Sequence, residues 1–245
     1  GVPLIKVASA TCEGGNMAVR LLQSEFSSDR RDKVVANPQS WNVPVLAATV
    51  GGRTVEAVTE GESTQMSVPG CGPLLVNAGQ SGYYRTLYNP PQLAALAQSF
   101  AALKPIDQYG LLNDNMALAR AGYQPLGGAL DLVAAVPADA DPNVLAEGLS
   151  SWTSLYSLFD DEPAVQARIG RLIEARYAPV LTRLGFAVKD DEPASETLLR
   201  PTLISALGAT GLQSVEKERA RLLKALERDP KALDGPLKTT WLGLI

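Results

Sequence analysis

Thr86-Leu87-Tyr88-Asn89-Pro90-Pro91-Gln92-Leu93-Ala94-Ala95-Leu96 is the stretch on which the fold turns. Upstream of Asn89-Pro90-Pro91 the apolar residues follow a period of two. Downstream they recur every three or four positions, as one face of a helix requires.

Working back from that point, short Val- and Leu-rich runs read as strands: Leu4–Val7, Met17–Gln23, Val43–Val50, Thr54–Val58, Leu74–Ala78 and Tyr83–Tyr88. In the second run Met17, Val19 and Leu21 share one face and Arg20 marks the other. Gly14-Gly15, Gly51-Gly52 and Pro69-Gly70 punctuate the runs, and Gly51-Gly52 predicts a hairpin with a two-residue loop. Residues 1–89 are therefore expected to form a small β-sandwich of six or seven strands.

Working forward, Leu93, Leu96, Ala97, Phe100 and Leu103 form one stripe, and Tyr109, Leu112, Met116 and Ala119 another. Leu145, Leu149, Trp152, Tyr156 and Phe159 follow, then Val165, Ile169, Leu172 and Ile173, then Leu199, Leu203 and Leu207, then Leu222, Leu223 and Leu226. Gly122, the segment Pro137 to Pro142, Gly185, Gly211 and Asp229-Pro230 break them. About seven helices in antiparallel pairs give an all-α superhelix of the HEAT/armadillo kind over residues 90–245, complete or not. Asp160-Asp161-Glu162-Pro163-Ala164 recurs as Asp190-Asp191-Glu192-Pro193-Ala194, a spacing found in helical arrays. Acidic residues before a proline suit the unpaired N–H groups of a helix start better than they suit a metal.

Among 245 residues there is no histidine. Ser-His-Asp and Cys-His catalysis and histidine-based metal sites are excluded. Net charge is −4, which argues against a nucleic-acid partner. The most basic stretch, Lys217 to Arg228, is interleaved with Glu216, Glu218 and Glu227 as on a solvated helix. The uncharged runs 34–52 and 63–84 carry too much Pro, Gly, Asn, Gln and Ser for a membrane span. Cys12 and Cys71 set no metal-binding spacing; they pair if the chain is exported and stay free if it is not. No targeting segment is visible ahead of Gly1, and the compartment, cytoplasmic or exported, is left open.

Ser214-Val215-Glu216-Lys217 matches Ser-x-x-Lys without the partner motifs such hydrolases need. Gly79-Gln80-Ser81-Gly82 is no nucleophile elbow. Trp152, Tyr156 and Phe159 read as core rather than as a pocket wall. The sequence therefore offers no catalytic residue and no metal ligand.

One segment is more specific. Leu75-Val76-Asn77-Ala78-Gly79-Gln80-Ser81-Gly82-Tyr83-Tyr84-Arg85-Thr86-Leu87-Tyr88 resembles a signature of the aminopeptidase N and puromycin-sensitive aminopeptidase family. Further landmarks of that family follow in order: Gly1-Val2-Pro3, Leu22 to Phe26, Trp41 to Val45, Ile106 to Asp114, and Glu196 to Arg200 with Leu203 to Gly211. Gly82, Tyr83, Tyr84, Arg85, Tyr88, Asp107, Leu111 and Asp114 are the signature positions, expected to be structural, with Arg85 packing or pairing at a domain boundary.

The resemblance implies that this chain is the C-terminal part of a zinc metallopeptidase. The zinc ligands and the catalytic glutamate of the family have no matching position here, so this part alone should hold no zinc and be inactive. Its implied partners are the upstream catalytic domain and a peptide substrate, with the helices closing the cleft and limiting or contacting the peptide. The alternative is a non-catalytic helical-repeat scaffold for protein–protein interaction.

Overall fold

The computed structural model describes residues 1–245. Strand β1 (Val2–Glu13) and strand β2 (Asn16–Phe26) form a long antiparallel hairpin paired from Val2↔Phe26 to Glu13↔Asn16, with the register shifting by one residue between Val7 and Ser9. Met17, Val19 and Leu21 are buried and Arg20 is exposed, as period two requires. A strand not foreseen from the sequence, β5 (Ser63–Pro69), pairs antiparallel with β2. Strand β7 (Arg85–Leu87) pairs parallel with β1, from Leu4↔Arg85 to Lys6↔Leu87, which gives the order β5-β2-β1-β7. The second sheet has β3 (Pro44–Thr49) between β4 (Val55–Val58) and β6 (Leu74–Val76).

The hairpin expected at Gly51-Gly52 exists, because β3 and β4 pair antiparallel, but its loop is longer than two residues. Pairing stops at Ala47↔Val55, and only Gly51 of the two glycines takes positive φ, at 76°. Thr49 Oγ1 is instead bonded to Pro69 O, which draws the end of β3 toward β5 and away from β4. The run Tyr83–Tyr88 is strand only at its last half, because residues 77–82 form a closed turn. Between β2 and β3 lies a six-residue helix, α1 (Arg31–Ala36), that buries only Val34.

The half-cystine pair Cys12–Cys71 is formed, with Cα atoms 5.4 Å apart. It ties the outer end of β1 to the turn after β5.

The helices start where the hydrophobic period changes. Helix α2 (Pro90–Gln98) is capped by Asn89, whose Oδ1 accepts the Gln92 amide at 3.0 Å. Helices α3 (Pro105–Arg120), α5 (Pro142–Leu158) and α6 (Pro163–Leu184) also open on proline, which loses no bond there. Helices α4 (Leu126–Ala134), α7 (Ala194–Ala209), α8 (Gln213–Leu226) and α9 (Lys238–Leu242) complete the chain. The order is β then α.

Some stripe members face outward. Tyr109 is exposed while Leu111, Leu112, Met116 and Leu118 carry the buried face of α3. Leu172 and Leu223 are also exposed, because each adjoins a leucine or isoleucine and only one neighbour can point inward. Both acidic repeats sit at helix starts, before α6 and α7.

The chain divides into two compact units, Gly1–Val136 and Pro137–Ile245. The first contains both sheets with α1 to α4. Its helices are held to the strands by a cluster of Leu4, Phe26 and Leu118, with Val2, Leu87, Ala117 and Tyr123 packed around it. The second contains α5 to α9. No helix is long and apolar enough to cross a membrane.

Candidate functional site

The signature residues converge on one place in the first unit, where the chain leaves the sheets and enters α3. Asn77 and Gln80 both adopt positive φ, 63° and 53°, and fold residues 77–82 into a tight turn. Asn77 locks it: its Oδ1 accepts the Gly82 amide at 2.9 Å and its Nδ2 donates to Gly82 O at 3.0 Å. Gly82 has no room for a side chain, since a Cβ there would lie 2.2 Å from the Tyr84 ring.

Helix α3 grips this turn at successive turns of its own. Asp107 Oδ1 accepts the Gly79 amide at 2.7 Å. One turn on, a Cβ at Gly110 would meet the Gln80 carboxamide at 2.0 Å, so the absent side chain is what admits Gln80. One turn further, Asp114 takes Arg85 Nη1 at 2.7 Å and the Thr86 amide at 3.0 Å, while Asn113 also accepts from Arg85. Asp107, Gly110 and Asp114 thus form one face of α3 at spacings of three and four. Leu111 beside them is buried at 3% exposure. Tyr88 closes the sheet side: its hydroxyl accepts the Val76 amide at 2.8 Å and donates to Val76 O at 3.2 Å.

Two neighbouring rings, each with an arginine over it, back the joint. Arg85 lies 5.6 Å over the Phe26 ring, Phe26 is 5.2 Å from Tyr123, and Arg31 lies 5.5 Å over Tyr123. The Tyr123 hydroxyl accepts the Ser27 amide and donates to Glu25 O, fixing the end of β2 against the end of α3.

Burial sets the electrostatics here. It pushes the Asp114 carboxyl above the usual carboxylate range despite the Arg85 guanidinium and the Thr86 amide. Burial likewise raises Asp107 against the Gly79 amide and Lys104, and raises the Tyr84 and Tyr88 hydroxyls.

One signature residue does not join the clasp. Tyr83 stands 86% exposed beside buried Tyr84. It lies at the mouth of a cavity of about 570 Å³ between the start of β1, the end of β2 and α3. Ile106 and Tyr109 of α3 line the same mouth, 50% and 39% exposed.

The second unit has a clasp that the sequence did not disclose. Arg200 of α7, fully buried, donates to both carboxylate oxygens of Glu192, to Gly185 O at 3.0 Å and to Leu184 O at 3.3 Å. Glu192 also accepts the Thr197 hydroxyl at 2.7 Å and the Lys189 amide at 3.2 Å. The Arg200 guanidinium holds its carboxyl well down, to about 2. A groove of about 510 Å³ elsewhere in this unit is lined by Thr153, Tyr156, Ile173, Pro201 and Ser205. Tyr156 is therefore a groove wall rather than core, with its hydroxyl on Ala209 O, whereas Trp152 is core.

No group of three or more His, Cys, Asp or Glu side chains converges anywhere, histidine is absent and both cysteines are in the disulfide. The residues of this chain do not fit a zinc site. Ser214 and Lys217 both lie exposed on α8, which leaves their motif without a site.

The chain is similar to part of several known aminopeptidases. The chain is 29% identical to aminopeptidase M1-A of Oryza sativa subsp. japonica over 157 residues, 63% of this chain and 18% of the relative. It is 24% identical to human endoplasmic reticulum aminopeptidase 2 over 212 residues, 83% of this chain and 22% of the relative. It is 25% identical to aminopeptidase 2 of Candida albicans over 246 aligned positions, 98% of this chain and 26% of the relative. The chain thus spans only about a fifth to a quarter of the length of these relatives. The model of the ERAP1-like C-terminal domain matches residues 73–245, which takes in the signature turn, its clasp on α3 and every later helix. The chain belongs to the ERAP1-like C-terminal domain family, the C-terminal part of aminopeptidase N-type proteins.

Proposed function

We propose that this chain is the non-catalytic C-terminal region of a zinc aminopeptidase that removes N-terminal residues from peptides. The family match over residues 73–245 carries the reading. In it, residues 1–89 are the β-sandwich domain and residues 90–245 a HEAT/armadillo-like superhelix, a division supported by the capping of α2 at Asn89. The superhelix closes the active-site cleft and limits or contacts the peptide. The signature residues Gly82, Tyr84, Arg85, Tyr88, Asp107, Leu111 and Asp114 hold the β domain and the first helices as one body, so that the wall keeps its position. Zinc and its ligands belong to the parent outside these residues.

The test is made on the parent protein. It should release N-terminal residues from peptides and lose that activity to a chelator, while the 245-residue chain alone releases none. A parent that is folded but inactive on every peptide and aminoacyl reporter overturns the peptidase reading and leaves the scaffold.

A further inference from the structure

We infer that the parent protein folds and works in an oxidising compartment, where the bridge Cys12–Cys71 stands in for a hydrophobic core that the outer end of the first sheet lacks. Peptidase activity plays no part in that inference.

Burial along the hairpin shows what is missing. Leu4, Ile5 and Val7 of β1 are buried, but no residue from Ala8 to Asn16 is, and residues 11–16 are all exposed. The two strands nonetheless stay paired out to Glu13↔Asn16. The turn after β5 has the same character: none of residues 70–73 is buried, and two of the four are glycine. Two main-chain bonds hold it, from the Gly70 amide to Gly15 O at 3.1 Å and from the Val50 amide to Pro73 O at 3.0 Å. Water competes for hydrogen bonds at an open end, so they stabilise it weakly. Yet this turn carries the chain from the first sheet into the second, where Leu74, Leu75 and Val76 of β6 are buried.

The bridge supplies the tie that burial does not. The two cysteines of the 245 residues, 59 positions apart in sequence, lie with Cα atoms 5.4 Å apart, within the ordinary span of a disulfide. Cys12 is on β1 and Cys71 follows β5, so the link reaches across the end of β2, which lies between those strands. It removes freedom from the open chain without needing an apolar side chain beneath it. Other uses of the pair are closed, since no third His, Cys, Asp or Glu converges with them on a metal site.

Both half-cystines are exposed, so nothing shields the bridge from thiol reductants. In a reducing cytosol such a pair is kept as two thiols, and the tie is lost. Its formation is an exchange. One cysteine thiolate attacks a sulfur of an acceptor protein disulfide, and the other cysteine then displaces the acceptor from the mixed disulfide. Cys12–Cys71 is thereby oxidised, and the acceptor leaves as a dithiol with the two electrons and two protons.

The test uses the full-length parent in the cells that make it. Acid quenching, alkylation of free thiols and digestion without reductant, read by mass spectrometry, report the state inside the cell. The expected result is a linked pair of peptides carrying Cys12 and Cys71, recovered outside the cytosolic fraction. Both cysteines alkylated as free thiols, or a linked pair confined to the cytosol, overturns the compartment. In the purified parent, Cys12→Ser with Cys71→Ser should speed proteolytic nicking within residues 8–16 and 70–73 roughly tenfold or more, with cleavage in α5 to α8 unchanged. Dithiothreitol added to the native parent should do the same, which keeps the test open if the double variant does not fold. Unchanged nicking on reduction overturns the role given to the bridge.

Discussion

Each unit is fastened by an arginine on a carboxylate, and the two pairs behave oppositely. Asp114 is held by one nitrogen of Arg85 and one amide, and burial keeps its carboxyl above the ordinary range. Glu192 is held by two nitrogens of Arg200, a hydroxyl and an amide, and its carboxyl falls to about 2. Burial dominates at Asp114 and the Arg200 bonds dominate at Glu192. At the first the loss of water outweighs the two bonds made; at the second, less penalised by burial, a bidentate guanidinium with two further donors outweighs it. The first pair positions a joint at a cost in charge burial, while the second stabilises a loop between helices as an ionised unit.

The largest expected effect comes from Arg200→Ala, which strips donors from Glu192 and from the buried carbonyls of Leu184 and Gly185. Unfolding of the second unit by urea should show a loss of about 3–5 kcal/mol, against little change in the first. Next is the crosslink that only the first unit has. Reducing Cys12–Cys71, which closes a loop across a sequence separation of 59, should remove about 2–4 kcal/mol from that unit. Amide exchange in β1 and β5, followed with and without reductant, measures it; equal loss in α6 and α7 would dissolve the distinction between units. Asp114→Asn should cost less, about 1–2 kcal/mol, because the neutral side chain sheds the burial penalty while losing part of its grip on Arg85 and Thr86. A loss as large as that of Arg200→Ala would show that the two clasps are equivalent after all.

The smallest effect is a contrast in acid. Glu192 has a folded value near 2, below its ordinary 4.5, so the stability it gives is complete above pH 4.5 and disappears as pH falls toward 2. Asp107 and Asp114 have raised values, so their contribution runs the other way and diminishes as pH rises through those values. Between pH 5 and pH 2, exchange corrected for its intrinsic rate should accelerate more in α7 than in α3. Glu192→Gln should flatten that difference.

The change of hydrophobic period located the start of α2 to the residue, because Asn89 and Pro90 give both the pattern and the cap. Strand β5 stayed hidden since Ser63, Gln65 and Ser67 alternate with only Thr64, Met66 and Val68, a weak apolar signal on an edge strand. The clasp on α3 was legible as a set of residues but not as a geometry. Asp107, Leu111 and Asp114 could be picked out, while the role of Gly110 depends on where the Gln80 side chain lies, which no helical period encodes. Arg200 was hidden for a similar reason. It adjoins the stripe Leu199, Leu203 and Leu207, where an arginine reads as solvated, and its partner looked like a helix-start acid. Exposed Tyr83 beside buried Tyr84 is a distinction that only the closed turn makes.

The parallel pairing of Leu4 with Arg85 also sets an order of events during synthesis. The hairpin of β1 and β2 is local and closes early, whereas β7 is made only after the whole second sheet has been threaded. Until it is, the free edge of β1 offers unpaired amides and carbonyls beside Leu4 and Ile5 to any neighbouring chain. A ribosome that pauses between Phe26 and Leu87 prolongs that exposure, and the three residues of β7 end it.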